Sequence, residues 1–465
     1  MKVSIVWLVV FIMITQKVLA QSAQQQVLTL DNFIDQVKKY HPIARQADIQ
    51  IDKANAELLA ARGNFDPFFQ FDASNKTFGS KNYYYYNNPE LSMPLPVGNV
   101  KAGLEQNCGN FLSSEISSGK TSYLGVEMPL AKGLLMDKRR ATLQQAKIFT
   151  QQSAQERLIV LNNLLFESYI AYWQWSATHQ QYLTYSKFVE IADKRLRLVR
   201  IAFTNGDRAL IDTTEAFTQF QNYQLMQMEA MVKWKNAAIE LSNYLWKDND
   251  SFYLLEETVS PGYFTPLNDM ADKNITDLIK QSTVQNPALK LYDYKLSSLE
   301  IERKLKRQNL LPYFTVKANL LNKNYNVFKG VNAAFIENNY KWGVDFKIPL
   351  FLREARGEYK KVQLKIKETN IELQYKRQQT DNKIRTYLNE YTALKQQLQT
   401  LQNMYNNYQQ LLKSEEIKFE QGESSLFLIN SREIKLIETL QKQIEVTNKF
   451  YKAKYAVEWA AGLLK

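Results

Sequence analysis

The stretch Lys341-Trp342-Gly343-Val344-Asp345-Phe346-Lys347-Ile348-Pro349-Leu350 alternates strictly. Trp342, Val344, Phe346, Ile348 and Leu350 fall on one side, and Lys341, Gly343, Asp345 and Lys347 on the other. A period of two is that of a β-strand, whose successive side chains point to opposite faces. The same pattern starts at Pro312, where Phe314, Val316, Ala318 and Leu320 alternate with Thr315, Lys317 and Asn319. Earlier, Leu124, Val126 and Met128 alternate with Tyr123, Gly125 and Glu127, and Phe69, Phe71 and Ala73 with Gln70, Asp72 and Ser74. Each half of the chain thus supplies two strands of about ten residues, the length a tilted strand needs to cross a bilayer.

In a membrane barrel the apolar face would meet lipid and the polar face a water-filled lumen. A half-buried strand in a soluble sheet has the same local pattern. Four strands cannot close a barrel, because the smallest use about eight. A membrane reading therefore requires several chains to share one barrel, and three chains of four strands would give twelve. Residues 75–117, with Tyr83-Tyr84-Tyr85-Tyr86-Asn87-Asn88-Pro89 and several Gly and Ser, are expected to form a loop on a wet outer face, in which the tyrosine run is either a poorly ordered polar segment, the favoured reading, or an interfacial or surface contact. Residues 321–340, rich in Asn, are expected to form a second loop on the same wet face.

The strands belong to a plan that occurs twice. Asp31-Asn32-Phe33-Ile34 returns as Thr276-Asp277-Leu278-Ile279, His41-Pro42 as Asn286-Pro287, and Pro67-Phe68-Phe69 as Pro312-Tyr313-Phe314. Met128-Pro129-Leu130 returns as Ile348-Pro349-Leu350. Phe203 and Gly206 return, with Leu210, as Phe419 and Gly422 with Leu426. The order is the same both times, which is the mark of an internal duplication. The expected division is a first repeat over 21–246, a linking segment over 247–272 and a second repeat over 273–465. Each repeat reads as a short helix, a residue-Pro break, a helix of about twenty residues, two strands, a very long helix and a shorter one.

From Asp137 to Thr204, and again from Glu358 to Gln421, there is neither Pro nor Gly. A helix of that length spans roughly 100 Å. Leu394, Leu398, Leu401, Tyr405, Tyr408, Leu412 and Phe419 follow four-three spacing, with Glu415 interrupting, so this helix carries a coiled-coil seam.

Composition excludes other classes. The chain carries 59 Lys and Arg against 47 Asp and Glu, for a formal charge of +12, but the basic residues are interleaved with acids as on solvated helix faces. No nucleic-acid-binding signature accompanies them. A single cysteine, Cys108, rules out an internal disulfide framework. His41 precedes a Pro and suits a helix start, and His179 sits in a polar stretch and is expected to be solvated. Gly119-Lys120-Thr121 leads into a strand and lacks the preceding Gly of a phosphate loop. No catalytic, metal-binding or cofactor-binding constellation is expected, and an enzyme reading has no positive support. Lys2, the apolar run from Val3 to about Ile14 and Val18-Leu19-Ala20 read as a signal peptide over residues 1–20. After it no apolar run is long enough for a transmembrane helix.

Taken together, the duplicated order, Asn286-Pro287 with its twin His41-Pro42, and the strand-to-helix motifs Pro129-Leu130, Gly133, Arg139-Arg140 and Pro349-Leu350-Phe351, Arg356-Gly357 resemble the TolC-like outer membrane efflux protein family. The Phe-x-x-Gly helix tips at Gly206 and Gly422 belong to the same resemblance, which covers essentially the whole mature chain. It implies a mostly α, mixed α+β duct. Long antiparallel helices would form an α-barrel, and four strands per chain would contribute to a trimeric twelve-stranded β-barrel. It also implies a homotrimer in the outer membrane with a large periplasmic helical part, working with a periplasmic adaptor protein and an inner-membrane pump in efflux or type I secretion. No nucleic acid is implied.

By the same resemblance the tips form the periplasmic gate and adaptor contact, which assigns Gly206, Asp207, Arg208, Asp212, Gly422, Glu423, Leu428, Ser431 and Arg432. Pro129, Gly133, Pro349 and Gly357 mark barrel-to-helix transitions. Phe314, Val316, Trp342, Val344, Phe346 and Ile348 are lipid-facing candidates. The linking segment with the N-terminal region would form a belt. Some family members carry an acidic ring at positions that here are Leu428 and Ser431, whereas Asp212 matches a family acidic position. Leu428 suggests a hydrophobic constriction, and Glu423 and Glu433 are expected on the helix surface. The competing reading is a secreted or periplasmic coiled-coil structural or adhesive protein without a pore. A periplasmic adaptor would need compact β-rich modules flanking one hairpin.

Overall fold

A computed structural model describes residues 27–248, 251–256, 258–262, 275–325 and 338–465. The expected signal peptide and parts of the linking segment and of the 321–340 loop lie outside the described residues. In chain order the elements are β1 (Val27–Leu28), α1 (Leu30–Tyr40), α2 (Pro42–Gly63), β2 (Phe68–Phe78), β3 (Lys81–Leu95), β4 (Gly98–Cys108), β5 (Gly119–Pro129), α3 (Lys138–Thr204) and α4 (Leu210–Ser242). There follow β6 (Ser260–Pro261), α5 (Ile275–Gln285), α6 (Pro287–Gln308), β7 (Tyr313–Lys323), β8 (Tyr340–Lys347), α7 (Arg353–Glu420) and α8 (Leu426–Ala461). They form two compact units. One comprises the described residues up to Asp48 with Arg157–Pro287 and Arg377–Lys465, and the other Ile49–Glu156 with Ala288–Lys376.

The first unit is helical. Its core holds Phe33, Trp175, Leu241, Leu245 and Phe450. Along α3 and α8 three aromatic pairs stack in antiparallel order: Phe166 on Trp459 at 4.7 Å, Tyr169 on Tyr455 at 3.7 Å and Trp173 on Tyr451 at 3.5 Å between ring centroids. Members recur three or four residues apart, the spacing that puts side chains on one helix face. The expected seam of α7 is buried at Leu394, Leu398, Leu401 and Leu412. Glu415, which interrupts it, accepts a hydrogen bond from the Ser424 hydroxyl at 2.6 Å.

Helix ends follow local chemistry. The Thr29 hydroxyl caps α1 by accepting from the Asn32 N–H, with Asp31 in the first turn and Lys38 and Lys39 in the last, as the helix dipole favours. The His41 Nδ1 accepts from the Ile43 N–H at 3.2 Å, which gives His41 the helix-start role its position suggested. Asn286 donates through Nδ2 to the Ala460 carbonyl at 3.2 Å, and α8 ends at Gly462 with φ +73°. A Cβ on Gly462 would fall 2.8 Å from Pro287 Cδ, so this turn needs glycine for its backbone and its space. β1 pairs in parallel with β6, and the Tyr172 hydroxyl donates to the Leu28 carbonyl at 2.9 Å. His179 is half-buried and packs at a tilt against Trp234, 5.0 Å between ring centroids, not solvated as its polar neighbours suggested. Heptad wrapping brings Trp234 over it, which sequence spacing alone does not reveal.

The second unit is built on one antiparallel sheet in the order β2-β3-β4-β5-β7-β8. It contains the four expected strands and two more. Residues 75–117 are not the expected loop. They complete β2, form β3 and β4, and leave a short connection before β5. Pro89, Pro94 and the Asn-rich context hide an alternation in which Leu91, Met93 and Leu95 interleave with Ser92 and Pro94, and Val100, Ala102 and Leu104 with Lys101 and Gly103. The β3–β4 ladder skips Asn88 and Pro89, as expected where a proline offers no N–H.

Candidate membrane wall and helix-tip gate

Register decides which side chains share a face of the sheet. Phe69, Leu91, Ala102, Leu124, Leu320 and Tyr340 lie in one cross-strand row. The row on the helix-proximal side runs Met93, Val100, Val126, Ala318 and Trp342. The next contains Met128, Val316 and Val344, and the last Phe314 and Phe346. One face is therefore an unbroken apolar belt. Four rows two positions apart along each strand give about 20 Å of height, near the roughly 25 Å apolar band of membrane barrels. Of the six lipid-facing candidates, Trp342, Val344, Phe346 and Ile348 are exposed, Trp342 at 69 %, while Phe314 and Val316 are half-buried.

The opposite face is polar: Gln70, Glu90, Lys101, Tyr123, Glu127, Lys317 and Asp345 all project there. Lys317 pairs with Asp345 at 2.7 Å, and Lys101 with Glu127 at 3.3 Å. Ser92, Asn107, Thr121 and Thr315 on this face are buried, and among the described residues the sheet is a single layer. Side chains crowd in this way on the concave side of a curved sheet. Both outer strands, β2 and β8, have one unpaired edge among the described residues.

The transition residues do what their types suggest. Beyond Pro129 the pairing continues, with the Leu130 N–H donating to the Phe314 carbonyl at 2.7 Å and the Lys132 N–H to the Pro312 carbonyl at 3.0 Å. Gly133 turns the chain with φ +92°. Asp137 then caps α3 by accepting from the Arg140 N–H at 2.8 Å. Arg140 returns to the Leu134 and Gly133 carbonyls, and Arg139 donates to Asn99 Oδ1 at 3.0 Å. In the second half the turn after Pro349 places Leu352 at φ +48°, and Gly357 lies within the first turns of α7.

The two helix tips are built alike. Gly206 and Gly422 adopt φ +83° and +81°. In each the glycine N–H donates to the Phe carbonyl three residues back, Phe203 or Phe419, at 3.0 and 3.1 Å. The following N–H, of Asp207 or Glu423, closes a longer turn to Ala202 or Lys418, both at 2.9 Å. This is the Schellman ending, which requires a left-handed residue. Ser425 caps α8 through its hydroxyl.

The tips touch. The Arg208 guanidinium lies 4.1 Å from the Phe419 ring centroid, and Phe419 packs against a cluster of Leu196, Val199, Ala216 and Leu426. Arg432 pairs with Glu415 at 3.6 Å. The Ser424 hydroxyl first, and Arg432 with it, hold the Glu415 carboxyl below its ordinary range. Asp207, Glu423, Leu428 and Ser431 are exposed, and Asp212 stands in the first turn of α4. The structure thus joins Arg208 and Arg432 to the packed tip and leaves the other expected polar residues outside it.

One group was misread from sequence. Glu433 is not a surface charge: it is 1 % exposed and receives both Arg195 terminal nitrogens at 2.8 and 2.9 Å, with the Tyr223 hydroxyl donating at 2.9 Å. Burial and the Glu433 charge push the Tyr223 hydroxyl upward. Asn430 extends the cluster to Glu215 at 2.9 Å. Burial also raises the neighbouring Glu416 carboxyl, against the pull of Arg195. The signal that could have pointed to it is spacing: Leu426, Ile429, Glu433, Leu436 and Leu440 follow three-four spacing, which puts Glu433 at a core position of the seam.

Residues 278–463 match the family model described as outer membrane efflux protein. No curated protein sequence matches. Among solved structures, the CmeC outer membrane channel of Campylobacter jejuni is similar with a TM-score of 0.64 and 14 % identity, over 94 % of this chain and 86 % of that one. VceC, an outer membrane protein of Vibrio cholerae, is similar with a TM-score of 0.63 and 13 % identity, over 93 % and 96 % of the two chains. The open-state MtrE outer membrane channel of Neisseria gonorrhoeae has a TM-score of 0.61 and 11 % identity, over 93 % and 89 %. The fold is thus that of TolC-like outer-membrane channels. In sequence, the second half of the chain carries the resemblance to the outer membrane efflux protein family.

Proposed function

We propose that this chain is one protomer of an outer-membrane duct for efflux or type I secretion, and that it is not an enzyme. The observation that carries this reading is the sheet: among the described residues it is single-layered, apolar on one face, polar on the other, and open at both edges. Exposed strand edges are a liability unless another chain covers them. Closure through β8 of one copy onto β2 of the next would satisfy both edges in a ring of like chains. The family resemblance suggests three copies.

The helical unit supports the same assembly. On α4, Ile211, Leu225, Val232 and Ile239 recur at heptad spacing and are exposed, Ile211 at 72 %. Such a stripe needs a neighbouring helix, and a ring of copies supplies one. The helices would stand in the periplasm. The tips at Gly206 and Gly422 would close the entrance and meet a periplasmic adaptor serving an inner-membrane pump. Opening would separate the tip helices, biased by adaptor contact. Charge reversal at Asp207, Arg208, Asp212, Glu423 and Arg432 tests that gate: unchanged conductance and unchanged adaptor-dependent efflux would refute it.

The duct reading itself is tested by the mass of the purified protein in detergent, with detergent subtracted. A trimer that aggregates when detergent is removed supports the shared barrel. A monomer or dimer stable without detergent removes it and favours a coiled-coil structural protein.

A further inference from the structure

In element order, residues 275–461 run helix, helix, strand, strand, helix, helix. Residues 30–242 run the same way with one addition, the β3–β4 hairpin between β2 and β5. We propose that this hairpin is a transmembrane part of the wall, so that the shared barrel takes six strands from each of three protomers, eighteen in all, with Glu90 and Lys101 facing its lumen. The proposal rests on the duct reading above and departs from the twelve-stranded expectation.

Pairing is the first argument. β3 pairs with β2 from Phe68 opposite Ser92 to Phe78 opposite Lys81, with a one-residue bulge after Lys76, and β4 is in register with β5 from Asn99 opposite Glu127 to Asn107 opposite Gly119. β2 and β5 do not pair with each other; the hairpin separates them across the sheet. The hairpin's own turn, Leu95 to Gly98, lies level with the helix-proximal end of β5, where Arg139 bonds Asn99. It therefore traverses the full height of the wall instead of standing above it.

The second argument is the outer face. Leu91, Met93, Leu95 and Val97 are exposed apolar residues, and Leu91, Ala102 and Leu124 continue one row, as Met93, Val100 and Val126 continue another. In water this would be a large contiguous apolar patch of the kind soluble surfaces avoid. Its rows coincide in height with those of β5, β7 and β8, which commits the whole face to one occupant, the hydrocarbon of the bilayer. At the other end Tyr83 packs at a tilt on Phe111, 4.8 Å between ring centroids, and meets Phe78 edge-on, an aromatic cluster at the position of an interfacial girdle.

The third argument is the inner face. Glu90 on β3 accepts from Gln70 Nε2 on β2 at 3.0 Å and from the Tyr123 hydroxyl on β5, and lies 3.8 Å from Lys101 on β4. Four strands are thus tied on the polar side. Tyr123 lies across Gly103, where a Cβ would come 2.5 Å from the ring, an aromatic filling the space above a strand glycine as in curved barrel sheets. Barrel diameter grows about linearly with strand number, so eighteen strands make a barrel roughly 1.5-fold wider than twelve, in the range where porins keep an aqueous channel. The hairpin would then set how large a solute passes.

The test uses full-length protein in liposomes, with Cys108→Ser as background and a single bimane-labelled cysteine placed at Leu91, Val100, Lys101, Val126, Trp342 or Asn319. Lipids carry a nitroxide quencher in their acyl chains. The proposal expects Leu91→Cys and Val100→Cys to lose most of their emission, as Val126→Cys and Trp342→Cys do, with Lys101→Cys and Asn319→Cys retaining theirs. Quenching at Val126 and Trp342 without quenching at Leu91 and Val100 overturns the hairpin proposal and leaves the duct intact. Absence of quenching at all outer positions overturns both.

Discussion

Arg195 and Glu433 meet through two parallel hydrogen bonds of 2.8 and 2.9 Å, joining α3 to α8 about three turns from the tip glycines. The pair is almost wholly buried, with side-chain exposures of 14 % and 1 %. Removing one partner of such a pair leaves an uncompensated buried charge and costs about 3–5 kcal/mol, whereas replacing both with apolar groups is often neutral. Glu433→Leu should therefore lower unfolding stability in detergent by about that amount, and Arg195→Met with Glu433→Leu should recover much of it. Equal loss in the single and double variants would show that the pair is not the source.

His41 yields a pH dependence. Burial lowers its pKa below the ordinary 6.5. Above that value both folded and unfolded chains carry a neutral ring, so the group adds no slope. As pH falls below it the unfolded chain binds the proton first, and stability declines until the folded pKa is passed. His41→Asn, which can still accept from the Ile43 N–H, should flatten the slope of thermal stability between pH 6.5 and 5. An unchanged slope would assign it to other groups.

Gly206→Ala and Gly422→Ala isolate a backbone effect, because a Cβ at either site meets nothing within 4 Å. A left-handed alanine costs about 1–2 kcal/mol. Amide exchange should quicken in the tip hairpins alone, with the distant α3–α8 pairing unaffected. Gly462→Ala should cost more, since it adds the contact with Pro287 to the same strain.

Leu428 is exposed at the start of α8. Leu428→Asp should not harm folding, because an acid in the first helical turn is favoured by the dipole. If Leu428 lines a hydrophobic constriction, this variant raises open-channel conductance and its preference for cations. Conductance equal to wild type would place Leu428 away from the pore.

The sequence was most legible where periodicity is unopposed. Strands at Phe314 and Trp342 and helices without Pro or Gly from Asp137 to Thr204 could be read directly, because side-chain spacing and backbone preference agree there. The hairpin at 81–108 could not, since Pro89, Pro94 and the run of Tyr and Asn suppress strand preference that cross-strand pairing restores. The glycine tips were visible as residues with a required backbone shape. Their chemistry was not: Arg195 and Glu433 are more than two hundred positions apart, and only packing of α3 on α8 brings them together.

The stacked pairs Phe166–Trp459, Tyr169–Tyr455 and Trp173–Tyr451 carry a mechanical meaning. Three flat rings seated on three others form a ratchet with teeth on both sides. Sliding α8 along α3 by less than a full turn would unseat every tooth at once, and no intermediate offset lets one pair hold while another yields. The two helices therefore behave as a single strut along this stretch. Any shape change the tips undergo must bend or swing about it, leaving its length as a fixed ruler.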